Sequence, residues 1–411
     1  MTHLQKSLQQ RIRRIAARTL LTAAILSIPA ALTAAHGKNI TDPGVWPGKH
    51  WEQSTPEAEN IDAGVITALA KSLQAGEYGA ITHFMLIRNG RVVANHTFKP
   101  DLMLPSNTPE RSDQPNALNQ YNYDHPNWHP YYNGTDLHSL QSVTKSVTSA
   151  AIGIAIDKGI ISSVQVPAMP YFNSYKHDLS DPRKSAITLE DLLTMRSGIK
   201  WNTAGGYGAV THSTDILEST DEWIQYILRQ PMQQDPGTAF KYNDGVSVLI
   251  GKILREATGE RIDEWAKNKL FRPIGIDDFY WKITPDGEAD TEGGLYLKPQ
   301  DLARIGYLFL RDGNWNGTQV LSKAWVDASI NPVTPDATSQ KNMGYGYQWW
   351  VPQHQDGKAR IFAGNGYGGQ RLIVSKEHDL VLVINGWDLH NQTDKSTATL
   401  LQDVIIPALR P

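Results

Sequence analysis

No cysteine occurs in this 411-residue chain, which excludes a disulfide framework and any thiolate metal site and leaves the redox compartment unmarked. Basic charge is not in excess: 39 Lys and Arg stand against 42 Asp and Glu, a formal net charge of -3. The electrostatic footprint of a nucleic-acid binder is therefore missing. Internal repeats and low-complexity tracts are also absent, so no solenoid or array is indicated. Long apolar runs are scarce. The most prominent, Thr19 to Ala35, contains Pro29 and falls short of the roughly 20 residues a bilayer span requires.

That stretch has a basic flank at Arg11, Arg13, Arg14 and Arg18, and small residues at its end, Thr33-Ala34-Ala35. This is the pattern of a cleaved secretory signal over residues 1–35. The expectation is an exported protein, periplasmic or extracellular, without a stable membrane anchor. Residues 36–60 are Pro- and Gly-rich without clear period and read as an irregular arm.

The chain is organised around Ser142-Val143-Thr144-Lys145, continued by the apolar run Val147 to Ile156 and closed by Asp157-Lys158-Gly159. So many apolar positions ending at a Lys and a Gly suit a helix buried on most of its circumference. Residues three apart share a helix face, so the Ser142 hydroxyl and the Lys145 amine come within hydrogen-bond reach. A serine is a weak nucleophile until a neighbour takes its proton, and a lysine can do so only if its pKa is lowered. By itself the pair reads more readily as an N-cap and a first-turn lysine reaching to solvent, because a Ser followed by a Lys at three is common by chance.

Two further stretches follow in order. Pro236-Gly237-Thr238-Ala239-Phe240-Lys241-Tyr242-Asn243-Asp244 sets a tyrosine just ahead of a helical run, and Gly364-Asn365-Gly366-Tyr367-Gly368-Gly369-Gln370 is a glycine-rich strand end. Together with the Ser-x-x-Lys, this order resembles the serine β-lactamases, penicillin-binding DD-peptidases and related esterases and amide hydrolases. The resemblance runs over roughly residues 60 to 411. It implies an α+β fold, an antiparallel β-sheet flanked by helices with an inserted, mostly helical domain. The expected division is 61–186 and 288–411 for the α/β part and 187–287 for the insert.

The resemblance also implies roles. Ser142 becomes the acylated nucleophile. Lys145 and Tyr242 move its proton, and the backbone N–H groups of Ser142 and Tyr367 form the oxyanion hole. Asp244 stands where the family usually has Asn. An amide both donates and accepts, whereas a carboxylate only accepts and tends to hold Lys145 protonated. This favours Tyr242 as base, with Lys145 as its electrostatic partner. Gly364 replaces the Lys or His that helps β-lactam and peptidoglycan enzymes bind a substrate carboxylate. Asp244, Tyr207, Asn365 and Gly366 are weaker candidates for substrate contact, and Arg371 reads as a solvated strand residue unless it faces the pocket.

With Tyr242 present, the glycine-rich third stretch looks most like 6-aminohexanoate-dimer hydrolases and related carboxylesterases. The expected function is hydrolysis of a small ester or linear amide through an acyl-enzyme. Cell-wall peptidase or β-lactamase activity is an alternative, and a catalytically silent binder or sensor is another. No cofactor and no metal are called for. Asp124, His125 and His129 lie in a Pro-rich aromatic loop, Pro100 to Asp136, whose spacing matches no metal motif. The expected partner is a small-molecule ester or amide, and nothing in the sequence specifies an oligomeric state.

Secondary structure reads from local signals. Asn89-Gly90 between apolar runs predicts a type I′ hairpin over 83–93. Ile66, Leu69 and Leu73 place a helix over 61–75, and Thr188 with Asp191 predicts a capped helix start. Helices are expected at 222–228 and 246–258. Further on come a helix, a hairpin and a helix after Pro299. Strands are expected at 344–350, 370–375 and 380–385, and a closing amphipathic helix carries Leu400, Leu401, Val404, Ile405 and Ala408.

Overall fold

Asn89 and Gly90 adopt φ angles of 53° and 81°, the positive pair a type I′ turn demands. They join β1 (Ile81–Arg88) to β2 (Arg91–Thr97) as an antiparallel hairpin. The computed structural model describes residues 44–99, 135–175, 180–207, 209–333, 337, 342–352, 361–387 and 395–410. The signal reading over 1–35, part of the arm, and most of the Pro100 to Asp136 loop with Asp124, His125 and His129 lie outside them. The described residues fall in one compact unit, Gly44–Pro411.

In chain order the elements that position the site begin with α1 (Ala63–Gln74), whose N-terminus is capped by Asp62, and the β1–β2 hairpin. A short β3 (His138–Ser139) then leads through a 3-10 turn, Gln141–Val143, into α2 (Thr144–Asp157). A helical stretch follows: α3 (Leu189–Leu193), α4 (Ser213–Glu218), α5 (Trp223–Arg229), α6 (Asp244–Thr258) and α7 (Ile262–Ala266). Next come β4 (Tyr280–Trp281), β5 (Leu295–Leu297), α8 (Pro299–Leu310), the hairpin β6 (Asn314–Trp315) with β7 (Thr318–Gln319), and α9 (Lys323–Ser329). The chain returns to the main sheet as β8 (Met343–Tyr345), β9 (Trp350–Pro352), β10 (Ile361–Gly366), β11 (Gln370–Ser375) and β12 (Leu380–Gly386).

The seven main strands are antiparallel in the order β2-β1-β12-β11-β10-β9-β8. Successive residues of β1 point to opposite faces, and both faces are covered. Phe84 and Leu86 join Ile373, Leu382, α1 and the C-terminal Leu401 and Ile405 on one side. Met85 and Ile87 join Leu372, Val374 and Val383 with the helical layer on the other. α8 lies close on that second face: a Cβ at Gly306 would meet Leu372 and Val381 at 2.7 and 2.8 Å. This is a mixed helix and antiparallel-sheet fold, as expected.

Local signals translate directly in several places. Thr188 and Asp191 form a reciprocal capping box on α3, and Gly259 ends α6 in the left-handed conformation at φ 77°. Two expectations need correction. The single strand over 344–350 is two short strands, because Gln348 turns the chain at φ 62° and its side chain bonds Ser247 and the Leu193 carbonyl. The closing helix is a succession of 3-10 and π turns, Thr397–Thr399, Leu401–Ile405 and Ile406–Ala408. Pro407 cannot donate to a regular ladder there, yet Leu400, Leu401 and Ile405 are buried as the stripe requires.

Candidate active site

α2 is buried along almost its whole length, from Thr144 to Ala155, and a Cβ at Gly153 would strike the Trp325 ring at 2.5 Å. A helix fixed on every side is a rigid mount. Ser142 sits just before it and is half-buried. The preceding Gln141 takes φ 48°, a conformation costly for a residue with a side chain and commonly retained where a functional group must be aimed. Ser142 is therefore not a helix cap; it belongs to a tight turn ahead of the helix.

Lys145 Nζ donates to Ser142 Oγ at 3.0 Å and to the Glu292 carbonyl at 2.6 Å. It also lies 2.8 Å from Asp244 Oδ1 and 3.6 Å from a Glu292 carboxylate oxygen, with Lys145 and Asp244 each about 1 % exposed. Burial works against the ammonium, but the charges of Asp244, Tyr242 and Glu292 outweigh it and push the Lys145 pKa well above its ordinary value. Burial alone would raise Asp244; Lys145 and the hydroxyl of Thr214 hold it below the ordinary carboxylate value. The pair is an ammonium carboxylate ion pair.

Tyr242 comes from the turn before α6, whose N-terminus Asn243 caps through its side chain to the Val246 N–H at 3.2 Å. Its ring stacks on Trp350 at 5.8 Å and meets Tyr345 edge-on at 6.4 Å, and Lys145 Nζ lies 5.2 Å from its centroid. Burial raises its pKa; the Lys145 charge and hydrogen bonds with Ser142 and Lys145 act in the opposite direction without overcoming it. The phenol thus shares one small cluster with the serine hydroxyl and the ammonium.

Strand β10 packs against the Ser142 turn. A Cβ at Gly366 would lie 2.4 Å from the Leu140 carbonyl and 3.0 Å from Gln141 Cβ, and one at Gly364 would lie 3.0 Å from Val143 and 3.1 Å from Ser146. Only glycine lets this backbone come so near the Ser142 turn. Any side chain at position 364 would need Val143 and Ser146 to give way by a few tenths of an ångström. Asn365 alternates with these two glycines along the strand and pairs in register with Arg371.

The weaker sequence candidates separate. Asp244 is internal, accepting from Thr214 Oγ1 at 2.6 Å and from the Tyr207 hydroxyl at 3.3 Å. Tyr207 is exposed on its loop, with its ring 5.2 Å from that of Tyr367. Sequence reasoning missed Glu292, Glu218 and Thr214. Burial and the charges of Asp244 and Asp290 raise the Glu292 pKa to about 7, while Lys145 and a hydrogen bond with Glu218 pull it down. Glu218 is raised well above the ordinary range by burial and by Glu292. Two touching carboxyl groups cannot both ionise cheaply, so the pair holds a proton. None of the three belongs to a short motif, and only Thr214, at the end of the Gly-rich loop, carried any local signal.

The family model for β-lactamases matches residues 77–404. The chain belongs to the β-lactamase family. It is 26% identical over 269 residues to a 6-aminohexanoate-dimer hydrolase of Paenarthrobacter ureafaciens, covering 61% of this chain and 67% of that one. It is 24% identical over 149 residues to the esterase EstB of Burkholderia gladioli, covering 34% and 38%. Among solved structures, a Bacillus anthracis protein classed with the 6-aminohexanoate-dimer hydrolases superposes with a TM-score of 0.66 at 19% identity, over 89% of each chain. A family VIII carboxylesterase does so with 0.59 at 15%, over 87% and 99%. At those identities the superpositions establish the fold. The family comprises serine hydrolases acting on esters or amides.

Proposed function

We propose that the protein is an exported serine hydrolase that cleaves a small ester or linear amide through an acyl-enzyme on Ser142. The observation that carries this reading is the contact of Ser142 Oγ with Lys145 Nζ at 3.0 Å, inside a cluster that also holds Tyr242. The signal-like pattern of residues 1–35 supports export.

Because Asp244 keeps Lys145 protonated, Tyr242 is the proton acceptor. Its phenolate, stabilised by the adjacent ammonium, takes the hydroxyl proton as Ser142 Oγ bonds to the substrate carbonyl carbon. The oxygen of that carbonyl becomes an anion facing the N–H groups of Ser142 and Tyr367, each of which is commonly worth about 3 kcal/mol in the transition state. The Tyr242 phenol then returns the proton to the leaving oxygen or nitrogen as the carbonyl reforms. Water enters by the same route: Tyr242 takes its proton, the new bond forms at the acyl carbon, and Ser142 departs with the proton restored.

The glycine at 364 favours esters and linear amides over β-lactams, since the strand offers no cation there for a ring carboxylate. The 6-aminohexanoate-dimer hydrolase and esterase relatives agree with that choice. A fluorophosphonate probe should label Ser142, and p-nitrophenyl acetate should turn over in the wild type but not in Ser142→Ala. A folded wild-type protein that neither labels nor turns over would remove this reading in favour of a silent binder. Stoichiometric acylation by penicillin, with no turnover of linear esters, would move it toward the cell-wall enzymes.

A further inference from the structure

Arg371 lies on β11 opposite Asn365, and its Nη1 donates to the Gly366 carbonyl at 2.8 Å and to the Gln370 carbonyl at 2.7 Å. The Gly366 carbonyl belongs to the same planar peptide unit as the Tyr367 N–H. In a trans peptide the two groups point in opposite directions, so a bond that fixes the oxygen fixes the aim of the N–H. A charged donor on the oxygen also polarises the unit and strengthens the N–H as a donor on its other side.

The next peptide is held as well. Gln370, about 1 % exposed, donates through Nε2 to the Tyr367 carbonyl at 3.3 Å and to the Gly386 carbonyl at 2.5 Å. Its Oε1 accepts from Asn385 Nδ2 at 3.2 Å and from the Gly386 N–H at 3.3 Å. The other side of the strand end abuts the Leu140 carbonyl at Gly366. The peptide is thus seated on the nucleophile turn, tied down by β12 through Gln370, and oriented by the Arg371 guanidinium.

We propose that Arg371 is a positioning residue for the oxyanion hole, acting through the Gly366 carbonyl to aim and polarise the Tyr367 N–H. This rests on the hydrolase reading above. It assigns to Arg371 a part in stabilising the transition state, in place of a solvated strand role or a direct contact with a substrate carboxylate. Lysine can still bring a charged donor to the Gly366 carbonyl, but as a strongly hydrated point charge on a flexible stem it lacks the planar guanidinium whose Nη1 reaches both the Gly366 and Gln370 carbonyls.

The test compares wild type, Arg371→Met and Arg371→Lys on p-nitrophenyl acetate, together with inhibition by phenylboronic acid, which forms a tetrahedral anion on the serine. Circular dichroism and thermal melting confirm that each variant is folded. In Arg371→Met, kcat should fall by about tenfold to a hundredfold, with KM within about twofold. Phenylboronic acid should bind more weakly by a similar factor, and Arg371→Lys should recover part of both losses. Wild-type kcat and boronate affinity in a folded Arg371→Met overturn the proposal. So does a loss confined to KM for substrates bearing a free carboxylate, which would mark a substrate contact. A wild type that is labelled by fluorophosphonate, with an Arg371→Met labelled at the same rate, removes the Arg371 role alone. A wild type that neither labels nor hydrolyses esters removes both readings.

Discussion

Lys145 Nζ and Asp244 Oδ1 are 2.8 Å apart with each side chain about 1 % exposed. The residue spaced three from Ser142 is therefore a fixed ammonium. Its partner occupies the position where an amide is usual in this family. Removing one member of such a pair leaves a buried charge uncompensated, which commonly costs 3–5 kcal/mol. Asp244→Asn is expected to lower the denaturation free energy by roughly 3 kcal/mol and to lower the Lys145 pKa by removing the charge that raises it most. Chemical denaturation and a pH profile of ester hydrolysis measure the two effects. The profile should move toward lower pH, because the Asp244 charge also raises the Tyr242 pKa and its removal makes the phenolate easier to form.

Tyr242→Phe keeps the stack on Trp350 and the edge contact with Tyr345, so the fold should survive with a melting temperature near that of wild type. The proton acceptor is gone, and kcat should drop by about a hundredfold to ten-thousandfold. Because burial holds the phenol above its ordinary pKa, the reactive phenolate is a minority at neutral pH. Wild-type activity should rise from pH 7 toward the alkaline side, and the residual activity of Tyr242→Phe should lack that rise. Parallel pH profiles in the two proteins would contradict the assignment.

Glu292 makes the stability of the folded chain depend on pH in a defined direction. Its folded pKa of about 7 lies above that of an unfolded glutamate. The native state therefore binds more protons between the two values, and stability falls as pH rises through that window. The contribution is fully present below the unfolded pKa and lost above pH 7, with a size of a few kcal/mol. Glu292→Gln cannot ionise, so between pH 5 and pH 8 it should lose less stability than wild type. Urea denaturation of both proteins at the two pH values gives the difference, and equal losses would show that Glu292 is not the group responsible.

Gly366→Ala places a Cβ 2.4 Å from the Leu140 carbonyl, a separation that real atoms do not keep. The strand end must move off the Ser142 turn and carry the Tyr367 N–H with it. Misplacement of a reacting geometry by about 1 Å can cost a hundredfold. The variant should lose about tenfold to a hundredfold in kcat while Ser142 is still labelled slowly by fluorophosphonate. Undiminished kcat would mean that this peptide does not serve the oxyanion.

Much of this was legible because the signals are local. Asn89-Gly90 can only turn one way between two apolar runs, and Thr188 with Asp191 satisfies its own helix start. Ser142 and Lys145 meet because they stand three positions apart where a 3-10 turn runs into a helix. Strand 344–350 was misread because the residue that breaks it, Gln348, is drawn out of the ladder by partners more than a hundred residues away in sequence. Glu292, Glu218 and Thr214 carried no motif. Their importance comes from packing around the buried pair, Glu292 on Lys145, Thr214 on Asp244 and Glu218 on Glu292, and no periodicity records that.

From the chain alone came the order of the three chemical stretches, the elements that bear them, and the suspicion that a carboxylate at position 244 would keep Lys145 charged. These follow from spacing, propensity and the chemistry of single side chains, which act over a few residues. The folded molecule decided where charge and protons reside. It buried Lys145 between Asp244 and Glu292, paired Glu292 with Glu218, and set the Gly366 peptide between the nucleophile turn and Arg371. Such energies depend on burial and on distances of a few ångströms between segments far apart in the chain, and only packing determines those.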